Sequence, residues 1–179
     1  MEKAVAVGVA IVLALIVGLV VRRRVGFVTA VDSKSMAPTL APGQHMLTRR
    51  LTSSRPLRRG DIVVVDSDEL ERVIVKRVVG LPGEHVVIDR DGRVLVDGRI
   101  LDEPFVAHPG GPSGTFDVAA GHLLLGDNRA QSSDGRNWRQ PYLPITKVRG
   151  RVAAPVSPSS FAEVGSGLGS RRRGPARAG

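Results

Sequence analysis

The chain has 179 residues, a length that suits one globular domain with its own core plus short additional segments. It contains no cysteine, which excludes disulfides, thiol nucleophiles and thiolate zinc sites, so any catalysis must use hydroxyl, amine, imidazole or carboxylate groups. The net charge is +9, but one tryptophan, one tyrosine and four phenylalanines are too few for a surface that stacks single-stranded bases, and no nucleic-acid partner is expected.

A long apolar run follows a short N-terminal flank of residues 1–3. Residues 4–21 are uncharged, and as a helix rising about 1.5 Å per residue they would extend for about 27 Å. The run is longer than the apolar region of a cleaved signal peptide and ends in arginines at residues 22–24, so we expect a retained transmembrane anchor. By the positive-inside rule, those arginines would leave the following domain in the cytoplasm.

Residues 27–153 read as a mainly β domain. Residues 61–66 and 72–79 are rich in β-branched residues, and residues 86–88 and 94–96 flank Asp91-Gly92, a strong hairpin signal. A further apolar run at residues 123–125 ends in GDNRAQSSDGR, which is too polar and rich in turn residues to continue as a strand, so it predicts an ordered loop.

The C-terminal segment, residues 155–179, consists mostly of proline, serine, glycine, alanine and arginine. This composition predicts a disordered basic tail. Arginine clusters here and elsewhere are usually solvated surface, and anionic lipid headgroups are the alternative partner.

Catalysis by a serine needs a base, and histidine is the usual one. His45, His85, His108 and His122 each lie beside turn residues, which favours surface or structural roles. A lysine can replace histidine if burial lowers its pKa. Strand alternation places Lys76 between Ile74 and Val78 on one face, so its amine is either partly desolvated or reaches water along its aliphatic stem.

Four short motifs, read in order along residues 33–150, resemble the four boxes of type I signal peptidases. They are SMAPTL at residues 35–40, GD at 60–61, KRVVGLPGE at 76–84, and GDNR at 126–129 with Ser132 and DGR at 134–136. The resemblance implies a small β-barrel of antiparallel sheets preceded by one transmembrane helix. It also implies a membrane-bound serine endopeptidase without a cofactor, whose partners are preproteins and the lipid bilayer.

Roles for individual residues follow from the same resemblance. Ser35 would be the nucleophile, Lys76 the general base, and Ser33 an oxyanion-hole donor. Ser132 would orient the lysine amine by a hydrogen bond. Four charged residues, Arg77, Asp127, Asp134 and Arg136, would support the site without taking part in the chemistry.

Two positions depart from the family pattern, since Lys34 replaces a small residue and Gly135 replaces a common serine.

The implied activity is removal of signal peptides after small residues in an Ala-x-Ala-like pattern. The family's topology places the catalytic domain outside the cytoplasm, which conflicts with the orientation that the arginines at 22–24 predict. Because the motifs indicate where the substrate is, we expect the extracytoplasmic orientation. The alternatives are a Ser/Lys protease with one client or with self-cleavage, and a non-catalytic, membrane-anchored binding module. A large distance between Ser35 and Lys76 would favour the binding module.

Overall fold

The computed structural model describes residues 2–24, 26–51 and 56–156. In these residues the chain forms one α-helix, three short 3-10 segments and eleven β-strands. The helix is α1 (Glu2–Arg24), and the 3-10 segments are Lys34–Met36, Arg129–Gln131 and Ile145–Lys147. The strands are β1 (Gly26–Ala30), β2 (His45–Arg49), β3 (Ile62–Ser67), β4 (Arg72–Gly80), β5 (His85–Ile88), β6 (Val94–Val96), β7 (Arg99–Ile100), β8 (Gly114–Asp117), β9 (His122–Leu125), β10 (Tyr142–Leu143) and β11 (Val148–Val156).

Two antiparallel sheets account for all these strands in the described part of the chain. The larger has the order β1-β2-β11-β3-β4-β9-β10, and the smaller has the order β7-β6-β5-β8. The mainly β prediction is therefore confirmed, as are the strands around Asp91-Gly92, which pair as β5 and β6. The implied barrel is not observed, because β1 and β10 each pair on one side only among the described residues.

The core is divided among three apolar clusters. One lies against β3 and β4, where Val63, Val65 and Val78 are fully buried. A second joins the smaller sheet to β9, and a third packs Met36 and Met46 near the start of the domain. Ser35 lies beside the third cluster, so the loop after β1 is held by apolar burial on both sides of its candidate nucleophile.

The apolar run at residues 4–21 lies in α1, where Val5, Ile11 and Leu15 are more than half exposed. Within the described residues, no helix has both the length and the apolar character needed to cross a membrane. The transmembrane part of the prediction is therefore not confirmed.

The start of the predicted tail needs a correction. Residues 155 and 156 belong to β11, where Pro155 pairs with Met46 and Val156 with His45 of β2. Pairing with β2 fixes this end of the chain in the larger sheet despite its tail-like composition. The rest of the predicted tail, residues 157–179, lies outside the described residues.

Candidate active site

Ser35 and Lys76 meet at the edge of the larger sheet. Ser35 belongs to the 3-10 segment after β1, and Lys76 lies in the middle of β4. Lys76 Nζ donates a 2.7 Å hydrogen bond to Ser35 Oγ, and the two residues are only 3% and 8% exposed. Contact between a buried amine and a buried hydroxyl is the geometry that proton transfer from serine to lysine requires.

Burial sets the protonation of Lys76. Ile74 and Val78, its neighbours on the same face of β4, are both buried, and the amine does not reach solvent along its stem. Desolvation lowers the Lys76 pKa to about 8; Asp134 opposes this shift, Arg72 and Arg136 reinforce it, and Asp127 opposes it. A lysine with this pKa is half neutral at about pH 8, so it can accept a proton near neutrality.

A second hydroxyl lies next to the first. Ser33 Oγ is 3.1 Å from Ser35 Oγ, and Ser33 is exposed at the start of the 3-10 segment. The two serines and the lysine amine thus form a chain of polar contacts that runs from the surface into the protein. Ser33 is therefore within reach of a group that Ser35 attacks.

Ser132 is brought close to this cluster but does not make the expected hydrogen bond to Lys76. It is buried, and its Oγ has no hydrogen-bond partner in the described part of the chain. Gly126 lies between the two serines, since a Cβ on this glycine would collide with Ser132 Oγ and with the carbonyl oxygen of Ser35. Close packing at Gly126 thus fixes the relative positions of Ser35 and Ser132.

Arg77 and Asp127 form a buried two-point ion pair behind the hydroxyl cluster. Arg77 Nε donates to Asp127 Oδ1 at 2.8 Å, and Nη2 donates to Oδ2 at 2.5 Å. Thr39 Oγ1 also donates to Asp127 Oδ2, which links β4 to the segment that carries Ser35. Phe105 covers the guanidinium, with its ring centre 3.8 Å away.

Asp134 and Arg136 hold the loop after β9. Both side chains are fully buried, and Arg136 Nε donates to Asp134 Oδ1 at 2.8 Å. Asp134 also accepts a hydrogen bond from the Gly126 amide, and Arg136 donates to the carbonyl oxygens of Gly110 and Arg129. This network supports the glycine that packs against Ser35.

Two further contributors were missed by the sequence reasoning. Arg129 is 1% exposed, pairs with Glu103 and donates to the Gly126 carbonyl oxygen. The backbone amide of Asn128 donates to the carbonyl oxygen of Ser35. Arg129 and Asn128 stand in the GDNR motif, so the motif itself was a signal, whereas nothing in the sequence around Glu103 predicts a buried pair.

The hydroxyl cluster opens into a groove of about 500 Å³. One wall is β1 and the loop up to Met36, and the other is the first half of β4, from Arg72 to Lys76. Both walls are free strand edges in the described residues, because β1 pairs only with β2 and β9 pairs with β4 only from Arg77 onward. Unpaired edges of this kind can bind an extended peptide through its main chain.

The histidines lie elsewhere. Among the described residues, none of the four lines the groove. His85 Nδ1 is 2.6 Å from Asp117 on the smaller sheet, and burial lowers the pKa of His122, opposed by a hydrogen bond to the Leu143 backbone. Lysine is therefore the base that the geometry offers to Ser35.

A buried serine in contact with a buried lysine at a groove is an arrangement that suits nucleophilic catalysis by the serine. The family model described as "Signal peptidase, peptidase S26" matches residues 4–157. Signal peptidase I of Leptolyngbya laminosa is 34% identical over 165 residues, which cover 85% of this chain and 77% of that protein. Signal peptidase I of Bacillus licheniformis is 31% identical over 141 residues, covering 72% of this chain and 75% of that protein.

Among solved structures, signal peptidase I from Enterococcus faecalis V583 is similar, with a TM-score of 0.48 and 24% identity, covering 55% of this chain and 98% of that chain. The family match extends over most of the chain, and the two relatives exceed 30% identity over most of their own length. The chain therefore belongs to the signal peptidase family, peptidase S26, and is a serine protease.

Proposed function

We propose that the protein removes N-terminal signal peptides from exported preproteins, cutting after small residues in an Ala-x-Ala-like pattern with Ser35 and Lys76 as its catalytic dyad. The observation that carries the proposal is the 2.7 Å contact between Lys76 Nζ and Ser35 Oγ at the groove. That short distance argues against the alternative of a non-catalytic binding module. Family membership supports the choice of signal peptides as substrates.

In this mechanism, neutral Lys76 takes the proton of Ser35 as Oγ attacks the carbonyl carbon of the scissile peptide bond. The carbonyl oxygen becomes an oxyanion, to which the Ser33 hydroxyl and the Ser35 amide donate hydrogen bonds. Lys76 then gives its proton to the leaving amine, and the C–N bond breaks to leave an ester on Ser35. A water molecule, deprotonated by Lys76, hydrolyses that ester and restores both residues.

The other predicted site residues act by positioning the dyad. Ser132 packs against Gly126 beside Ser35, and its buried hydroxyl has no partner among the described residues, which supports a role in orienting the lysine amine. The ion pairs of Arg77 with Asp127 and of Arg136 with Asp134 hold β4 and the loop after β9 against the segment that carries Ser35. Fixed geometry of this kind is what catalysis by proton transfer depends on.

The groove supports an extended substrate. A peptide between β1 and the first half of β4 would pair with both free edges, as a strand added to the sheet. In such a strand, residues two positions apart face the same side. Two small residues separated by one residue would therefore face the same side of the sheet, which gives an Ala-x-Ala pattern a physical basis.

We further propose that the protein works at the membrane surface, with its catalytic domain on the extracytoplasmic side. The exposed apolar side chains of α1 support contact with lipid, and the domain follows α1 directly. Salt-resistant flotation with membranes, and digestion of the domain by a protease added to spheroplasts, would support this location. Recovery in the soluble fraction, or protection until the cells are lysed, would contradict it.

The proposed activity can be tested with the full chain in detergent and a preprotein that carries an Ala-x-Ala site. We expect the product to begin directly after the small residue, as mapped by mass spectrometry, and Ser35→Ala to yield none. Ser113→Ala, which changes an exposed serine far along the chain, is the matched control. Several unrelated preproteins should be cleaved; cleavage of a single one would instead favour a dedicated protease, and cleavage by folded Ser35→Ala would contradict the mechanism.

A further inference from the structure

Charge is distributed unevenly along the substrate groove. At the end near the dyad, Lys34 and Asp32 both line the groove, and their opposite charges offset each other. At the far end, Arg149 is neutralised by Asp66, to which it donates hydrogen bonds at 2.9 Å. Arg72 also lines this end, and it makes no ion pair within the described part of the chain.

The position of Arg72 on β4 aims it at a substrate in the groove. Arg72, Ile74 and Lys76 occupy every second position of β4, so the arginine is on the same face of the strand as the lysine that contacts Ser35. Four residues along a strand correspond to about 13 Å. Arg72 is exposed, and its positive charge helps to lower the Lys76 pKa, which is consistent with a side chain close to the groove.

We propose that Arg72 is a specificity-determining residue, which favours an acidic side chain in the substrate about four residues from the scissile bond and disfavours a basic one. The inference rests on the proposed function and names a property of its substrates. A peptide extended along β4 advances at the same rate per residue as the strand itself. A carboxylate about four residues from the cleaved bond would therefore lie beside the guanidinium, which carries two parallel donors for it.

The experiment uses a neutral Ala-x-Ala peptide and two derived series with a single Asp or a single Lys at each of the six positions on either side of the cleaved bond. The readout is the ratio of kcat/KM for Asp to that for Lys at the same position. Because both peptides meet the same enzyme, any effect of a substitution on Lys76 cancels in this ratio. We expect one position, about four residues from the bond, to favour Asp by about two- to fivefold at low salt.

Variants of the full chain then assign the preference. Arg72→Gln should bring the ratio to one, and Arg72→Glu should invert it. The matched control, Arg99→Gln, removes an exposed arginine of β7 that does not line the groove and should keep the wild-type ratio. Addition of 1 M salt should weaken the wild-type preference, because it shortens the screening length to about 3 Å.

The outcomes separate the two proposals. Cleavage of the neutral peptide with no charge preference at any position, or a preference that persists in Arg72→Gln, would overturn the role of Arg72 and leave the proposed function intact. If the wild-type protein cleaved neither the neutral peptide, nor any charged peptide, nor a full preprotein, both the role of Arg72 and the proposed function would be overturned.

Discussion

Lys76 and Arg77 are consecutive on β4, yet only Arg77 has a carboxylate in ion-pair contact. Arg77 is held by both oxygens of Asp127, whereas Lys76 donates to the hydroxyl of Ser35 and forms no ion pair among the described residues. A buried cation without a carboxylate loses its proton more readily than one with a partner. The alternation of the strand thus separates a structural cation from one that can act as a base.

Replacement of Lys76 by methionine should abolish activity without unfolding the protein. Methionine fills a similar volume, and exchange of a buried charge for an apolar side chain is often neutral or stabilising. We expect kcat/KM to fall by at least about 100-fold, with a thermal midpoint no lower than that of the wild type at pH 7. Lys147→Met, at a partly exposed lysine paired with Asp68, should retain full activity. Activity near the wild-type level in Lys76→Met would remove the lysine from the mechanism.

The pH dependence of cleavage should report the free amine of Lys76. The lysine must be neutral to accept the Ser35 proton, and its pKa is lowered to about 8. We therefore expect kcat/KM to rise with pH through about 8 and then to level off. A profile that is already flat from pH 6 to 9, measured with a substrate lacking groups that titrate there, would not fit this assignment.

Protein stability should respond to pH through the same group. Between about pH 8 and 10.5 the unfolded chain holds a proton on Lys76 that the folded protein has lost, so the free energy of unfolding should increase with pH in this window. The shift corresponds to a contribution of about 3 kcal/mol, present above the window and absent below it. Urea titrations of the wild type minus Lys76→Met across this range isolate the contribution. A difference that does not change with pH would show that Lys76 titrates alike in both states.

Removal of the Ser33 hydroxyl should slow the chemical step with little effect on binding. If Ser33 stabilises the oxyanion, Ser33→Ala should lower kcat by about 100- to 1,000-fold while KM stays near its wild-type value. The exposed position of Ser33 means that the substitution should leave the thermal midpoint unchanged. Steady-state kinetics with one peptide over a range of concentrations distinguishes the two parameters; an increase in KM alone would assign Ser33 to substrate binding.

The Arg77–Asp127 pair should contribute strongly to stability. Asp127→Asn leaves the Arg77 guanidinium buried without its carboxylate, which typically costs about 3 to 5 kcal/mol of the free energy of unfolding. Asp68→Asn, at an exposed ion pair, should cost less than about 1 kcal/mol. Chemical denaturation measures both, and Arg77→Met combined with Asp127→Asn should recover part of the loss. Equal effects of Asp127→Asn and Asp68→Asn would contradict a structural role for the buried pair.

Local sequence signals predicted the strands but not their arrangement. The β-branched runs of β3 and β4 and the Asp-Gly turn between β5 and β6 are short-range features, and these elements formed as expected. The insertion of β11 between β2 and β3 is a pairing between distant parts of the chain. No local preference encodes such a pairing, which is why the composition of residues 155 and 156 predicts a tail instead.

The candidate site could be predicted only in part, again because local sequence does not encode contacts between distant parts of the chain. Alternation along β4 places Lys76 between two aliphatic residues, which allows its amine either to be desolvated or to reach water, and only its burial in the folded protein decides between them. The meeting of Ser35 with Lys76, 41 positions apart, was expected only from the resemblance to a family. The pair of Arg129 with Glu103 had no such guide, because Glu103 lies in a loop without periodicity.

The measurement that tests the dyad most directly is identification of the residue that becomes acylated during cleavage. Full-length protein would be mixed with substrate, quenched in acid within milliseconds, digested with trypsin and analysed by mass spectrometry. Ser33 and Ser35 fall in different tryptic peptides because Lys34 stands between them. We expect the acyl group on the peptide that begins at Ser35, and none in Lys76→Met. Acylation of any other residue, or cleavage after which no acylated Ser35 is ever found, would contradict the proposed mechanism.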